Sequence, residues 1–265
     1  MNASIGRLAA MQLRYWYLLR ASWPRLVELI YWPTMNLVVW GLLSVWFSEN
    51  RTTPVGIAGT LLAAVMLWDV LFRGQLGFTF SFLEEVWSRN VASLMMSPLQ
   101  PAEFVIALMM VSATRLIVGM TPVTLLALLL FGFNIYSLGF ALVAFFANLA
   151  LTSWAVGMVV SGLILRNGTG AQSFAFSVMM LLLPVSCVYY PVSILPMWLQ
   201  PVAWSLAPTY VFEGMRAALI DGVFRADLML EALALNVVYL SIGFAAFMLL
   251  VQSARQKGVL LTLGE

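Results

Sequence analysis

The sequence has no histidine, one cysteine and one lysine, and only 9% of its 265 residues are charged. The absence of histidine removes His-based metal sites, His general bases and His proton relays together. The single cysteine, Cys187, allows no intrachain disulfide, and its apolar neighbours suit a small packing residue. The one lysine, Lys257, is followed by Gly258. A phosphate-binding loop needs Lys followed by Ser or Thr after a glycine-rich run, so the chain carries no such loop. Its few acids are scattered, whereas a membrane enzyme would need clustered acids, bases or metal ligands. No catalytic residue and no metal ligand set is therefore expected.

Hydrophobic residues make up 63% of the chain. Soluble domains run near half apolar and about a quarter charged, so the solvent for most of this chain is lipid. Charges mark the boundaries. Residues 29–48 lie uncharged between Glu28 and Glu49 and form span one, at about 1.5 Å per residue long enough for one bilayer core. A turn at 50–55 leads to span two, 56–78. A polar segment, 82–104, is too charged to cross lipid, and Pro98 and Pro101 close its helical part. No charge occurs between Arg115 and Arg166, and this stretch divides at Gly132-Phe133-Asn134 through Gly139 into spans three (112–132) and four (139–163). The helix of span three is expected to begin near Glu103.

Span five is 171–190 and span six 230–251. Between them, 191–225 is apolar yet punctuated by Pro191, Pro196, Pro201 and Pro208. Such proline density breaks a continuous span, and re-entrant or interfacial half-helices reconcile both features. The expected fold is thus an all-α integral membrane protein with six transmembrane helices.

Arg7, Arg14 and Arg20 interrupt any apolar stretch at the start, so no cleavable signal is expected. With a cytoplasmic N-terminus, the inner side holds Arg7, Arg14, Arg20, Arg25, Arg89, Arg166, Arg255 and Lys257, and the outer side Arg51, Arg216 and Arg225. The positive-inside rule then places both termini in the cytoplasm.

Four groups of residues stand out. The 4–20 segment is amphipathic, with Ile5, Leu8, Tyr15, Trp16 and Leu19 on one face and Arg7 and Arg14 on another. It reads as an interfacial helix with arginines toward anionic lipid, serving as a topology anchor or as a gating or docking element at the cytoplasmic face. Asp69 and Arg73 share a helix face near the inner end of span two, and Arg115 is placed to join them. That cluster reads either as mutually satisfied charge or as a gate or contact for an anionic substrate. Within 82–104, Glu84, Glu85, Trp87, Arg89 and Asn90 sit beside Leu94, Met95 and Met96, which are costly to leave in water. Glu213 and Arg216, three apart, read as an ion pair in the outer leaflet.

The order of these parts, with SRNVASLMMSPLQPAEF (88–104) and above all YYPVSILPMWLQP and PTYVFEGMRA within 189–217, resembles the permease subunits of type-2 ATP-binding-cassette (ABC) exporters over essentially the whole chain. The resemblance implies that Glu84, Glu85, Trp87, Arg89 and Asn90 dock on a separate ATP-binding subunit, which binds ATP and Mg. It implies a second permease copy, a homodimer if the two are alike, with the substrate path between them. It implies short re-entrant helices on the outer side and residence in a bacterial inner (plasma) membrane. No nucleic-acid partner is implied. The competing reading is an ion-coupled secondary transporter. Such proteins carry mid-membrane ionisable groups, here Asp69, and inverted repeats, which the sequence does not display.

Overall fold

A computed structural model describes residues 3–49 and 57–256. Among them there is no strand. The expected turn at 50–55 and the tail at Lys257 lie outside the described residues. The helices are α1 (Ala3–Arg20), α2 (Trp23–Glu49), α3 (Ile57–Trp87), α4 (Val91–Met96), α5 (Pro101–Phe131), α6 (Phe140–Asn167), α7 (Ser173–Val185), α8 (Gln200–Trp204), α9 (Ala207–Arg216) and α10 (Ala226–Gln256). Five of them, α2, α3, α5, α6 and α10, contain stretches long and apolar enough to cross a membrane.

Several helices outrun their expected spans, for local reasons. Helix α3 continues past residue 78 to Trp87 because its polar side chains find partners within the bundle. Ser81 Oγ donates to the Gly77 carbonyl at 2.7 Å, and Gln75 Nε2 donates to Thr79 Oγ1 at 3.0 Å. Helix α5 starts at Pro101 with a capping box, in which the Gln100 amide donates to Glu103 Oε2 at 3.0 Å. It ends where Gly132 takes the left-handed conformation (φ 64°), as the Gly-Phe-Asn break implies.

The expected span five is shorter than read from the sequence. Only Ser173–Val185 is α-helical, about 20 Å at 1.5 Å per residue, after a 3₁₀ turn at Thr169–Gln172. Ser186 and a left-handed Cys187 (φ 54°) end it, so residues up to 190 belong to the following turn. The 191–225 stretch breaks into a 3₁₀ turn (Val192–Ile194), α8 and α9, each starting beside a proline, and one π turn (Ala217–Asp221) that continues from α9.

Helix α3 is the most enclosed of the five candidate spans and packs between α5 and α6, while α6 packs along α10. Without a hydrophobic drive between helices in lipid, such contacts rely on small residues and polar clamps. Both are present. Asn236 on α10 donates to the Asn148 carbonyl (2.9 Å) and to Asn148 Oδ1 (3.1 Å), and Thr152 donates to Asn236 Oδ1 at 2.6 Å. Two turns along α10 from Asn236, the two backbones meet at Gly243. A Cβ there would lie 2.8 Å from the Ala155 carbonyl oxygen. Backbone cannot yield as a side-chain tip can, so Gly243→Ala is expected to separate α6 from α10 at a cost of about 1–3 kcal/mol. A thermal melt of the purified protein in detergent checks this. An unchanged midpoint would mean that the crossing is loose.

Helix α2 is the least enclosed of the spans, with Trp23, Trp32, Val39, Leu42 and Trp46 on its open surface.

Candidate functional site

The end of α3 near Trp87 gathers much of the protein's charge. Glu84 and Glu85 are adjacent, and successive residues of a helix point about 100° apart. Glu84 accepts from Arg115 of α5 at 3.0 Å at each carboxylate oxygen, and Arg25 of α2 lies 3.4 Å away as a second ion-pair partner. Glu85 turns the other way and is fully buried. Its Oε2 accepts from Arg14 of α1 at 2.8 Å and from Asn90, at the start of α4, at 2.9 Å, while Oε1 has no partner. Glu103, at the start of α5, holds the other end of α1 through Ser4 and through Arg7, whose Nε and Nη2 donate at 2.8 and 2.5 Å.

Helix α1 is therefore pinned to protein. Arg7 and Arg14 pair with carboxylates, which corrects the expectation that they face anionic lipid. The hydrogen bond to Glu103 raises the Arg7 guanidinium above its ordinary value. Met11, Tyr15 and Leu19 form the buried stripe, whereas Ile5 and Trp16, expected on the same face as Tyr15, are exposed. The Tyr15 hydroxyl donates to the Ser81 carbonyl at 3.3 Å, and burial, then the nearby Glu85 carboxylate, raises its pKa.

The turn from α3 to α4 has a specific construction. The Arg89 amide donates to the Val86 carbonyl and the Asn90 amide to the Glu85 carbonyl, at 3.0 and 2.9 Å. This is the paired closure of a Schellman motif, with Arg89 in the left-handed position that glycine normally fills (φ 54°). Placing an L-residue there costs on the order of 1 kcal/mol. Trp87 is about half exposed (52%), and Ser88, Arg89 and Met96 are exposed. Of the five residues expected at the docking surface, Trp87 and Arg89 lie on the surface. Asn90 is half-buried under the turn. Glu84 and Glu85 face the bundle, because each answers arginines from other helices.

Beside this end lies a cavity of about 1010 Å³ between α2, α3, α5 and α7. Trp32, Trp68, Phe72, Phe80 and Phe176 give it an aromatic wall, and Trp87 stands at its edge. Asp69, Arg73 and Arg115 all line it, but they do not form one cluster. Arg73 Nε lies 3.7 Å from Asp69 Oδ1, which also accepts from Asn36 of α2 at 3.3 Å. Arg115 belongs to Glu84. Because α3 extends to Trp87, the Asp69–Arg73 pair sits near the middle of that helix and not near its inner end. Arg73 Nε is buried without a hydrogen-bond partner.

Across the protein, Glu213 and Arg216 form the expected pair at 3.0 Å and do more than neutralise each other. Glu213 Oε1 accepts from the Val192 amide at 2.8 Å. Arg216 donates to the carbonyls of Cys187 (3.0 Å) and Val188 (3.3 Å). The pair ties the turn after α7 to α9.

Sequence reading missed Arg14, Arg25, Asn36 and Glu103 as members of these networks. Their partners lie on other helices, 33 to 99 residues away, where helical spacing gives no signal. Among the described residues no group of acids or Cys assembles a metal site.

Five long apolar helices, joined by polar clamps and a close backbone crossing, are the build of a multi-pass membrane protein. A family model described as ABC-2 type transporter matches residues 14–220, and the chain belongs to that family. It is the membrane permease component of an ABC transporter, a transport part and not itself a catalyst. Comparison with curated proteins yields no match.

Proposed function

We propose that this chain is the permease subunit of an ATP-driven exporter and works as two copies with separate ATP-binding subunits, which hold the ATP and Mg. The observation that carries the reading is the surface turn at Trp87–Asn90. An exposed tryptophan and a strained left-handed arginine stand there at the junction of α3 and α4. Strain of this kind is kept where the surroundings fix it, often at functional contacts. In this reading the 82–104 segment docks on the ATPase through Trp87, Arg89 and the α4 surface, and Asn90, Glu84 and Glu85 support it from beneath.

The short apolar helix α7 serves as the fifth of six spans, with α10 the sixth. The 191–225 stretch re-enters the outer leaflet, and both termini face the cytoplasm of a bacterial inner membrane. The cavity is this copy's half of the cargo path, completed by the second copy across the open face of α2. ATP binding closes the ATPases, and the docked turn passes that motion into the spans.

Co-expression with the ATPase encoded beside it tests the docking. The wild-type chain is expected to retain a stoichiometric ATPase through purification. Trp87→Ala combined with Arg89→Glu removes an apolar anchor and reverses a charge at the surface, and is expected to weaken capture at least tenfold. Unchanged capture would remove the docking assignment. Absence of any associated ATPase would remove the exporter reading itself.

A further inference from the structure

The geometry points to the adjacent carboxylates Glu84 and Glu85 as positioning residues that divide one movement between two sets of helices. Glu84 carries it to the cavity wall, and Glu85 carries it to α1 and the α4 turn. The inference rests on the reading of the α3–α4 turn as the docked element, and adds how its motion is routed.

Three observations support it. The two side chains leave one end of one helix in different directions and share no partner. Glu84 meets Arg25 of α2 and Arg115 of α5, both of which line the cavity. Glu85 meets Arg14 of α1 and Asn90 of the turn. Any rotation of the α3 end therefore pulls on α2 and α5 through one carboxylate and on α1 through the other. Each carboxylate also has slack. Glu84 divides itself between two guanidiniums, with the Arg25 contact the longer at 3.4 Å. Glu85 takes both Arg14 and Asn90 on the single atom Oε2, so the two donors share one acceptor. Finally, Arg25 stands near the start of α2, so its contact with Glu84 joins that end of the least enclosed span to the end of α3.

The test uses the full chain in detergent, with pairs of spin labels on introduced cysteines. The native Cys187 is fully buried and stays unlabelled. Labels at Trp23→Cys and Ser88→Cys report α2 against α3, and labels at Tyr17→Cys and Ser88→Cys report α1 against α3. All three positions are exposed. Glu84→Gln is expected to broaden the first distance at least twofold and leave the second unchanged, and Glu85→Gln to do the reverse. Arg25→Gln and Arg14→Gln, at less enclosed positions, are expected to reproduce the two effects separately if a glutamate variant fails to fold. Glu84→Asp and Glu85→Asp, which keep the charge, are expected to restore narrow distributions.

If each variant disturbs both distances, or none disturbs either, the division of labour is wrong. The label distances need no ATPase, so failure of the docking reading alone would leave them intact and is recognised separately.

Discussion

Glu213→Ala is expected to unseat the segment between α7 and α10 and to cost about 3 kcal/mol, the lower part of the range for removing one partner of a buried ion pair. The two side chains retain only 20% and 12% of their surface, so solvent screens them little. Three losses coincide. The Val192 amide loses its acceptor, Arg216 loses its counter-charge, and the turn at Cys187–Val188 is left held by a cation with no carboxylate behind it. The turn cannot hold itself, because Cys187 sits at a positive φ that an L-residue adopts only under restraint. A cost near 3 kcal/mol corresponds to a fall in melting temperature of roughly 6–12 °C. Glu213→Gln keeps an acceptor for the Val192 amide but not the charge, and is expected to fall between. Thermal melts of both variants decide the matter. Equal midpoints for wild type and Glu213→Ala would show that α8 and α9 are held by packing alone.

How much of this was legible beforehand follows from the range of each interaction. Apolar runs between charges announced the long helices in their order, though not their lengths, and Gly132 and Gly139 marked the break between α5 and α6, because water and lipid sort residues one at a time. Pairs one helical turn apart, Asp69–Arg73 and Glu213–Arg216, were legible from spacing. What those residues hold was not. Arg216 reaches back to the carbonyls of Cys187 and Val188, and nothing in the sequence of α9 says so. The length of α3 was misjudged for a similar reason. Thr79, Ser81, Glu84 and Glu85 look too polar for a continued apolar helix, yet their partners on the same helix, on α1 and on α5 make the extension inexpensive. Assigning the α1 arginines to lipid failed because amphipathicity records that a face is polar, not whether headgroups or carboxylates meet it. The left-handed Arg89 and Cys187 carry no residue-type signal at all, since neither is glycine, asparagine or aspartate.

Asp69→Asn and Arg73→Gln are each expected to cut transport by about 100-fold, while the two changes together restore a substantial part of it. An unpaired charge in mid-membrane costs about 2.5–3.5 kcal/mol on insertion scales, and either single change leaves one. Asp69 is the more demanding partner. It is buried, and Asn36 on α2 also donates to its Oδ1, so an uncompensated Asp69 strains the contact of α2 with α3 as well as its own solvation. Arg73 lines the cavity and has room to reach water there, which makes Asp69→Asn the milder single change. The double variant leaves no uncompensated charge, so the penalty of removing one partner of a buried pair does not arise. Transport and melting temperature therefore separate two roles. If the double variant recovers both, the pair is structural charge balance in the wall of the path. If it recovers the melting temperature but not transport, the charges themselves act on cargo. If the single variants behave as wild type, water already screens the cavity at that depth and the pair carries little of either.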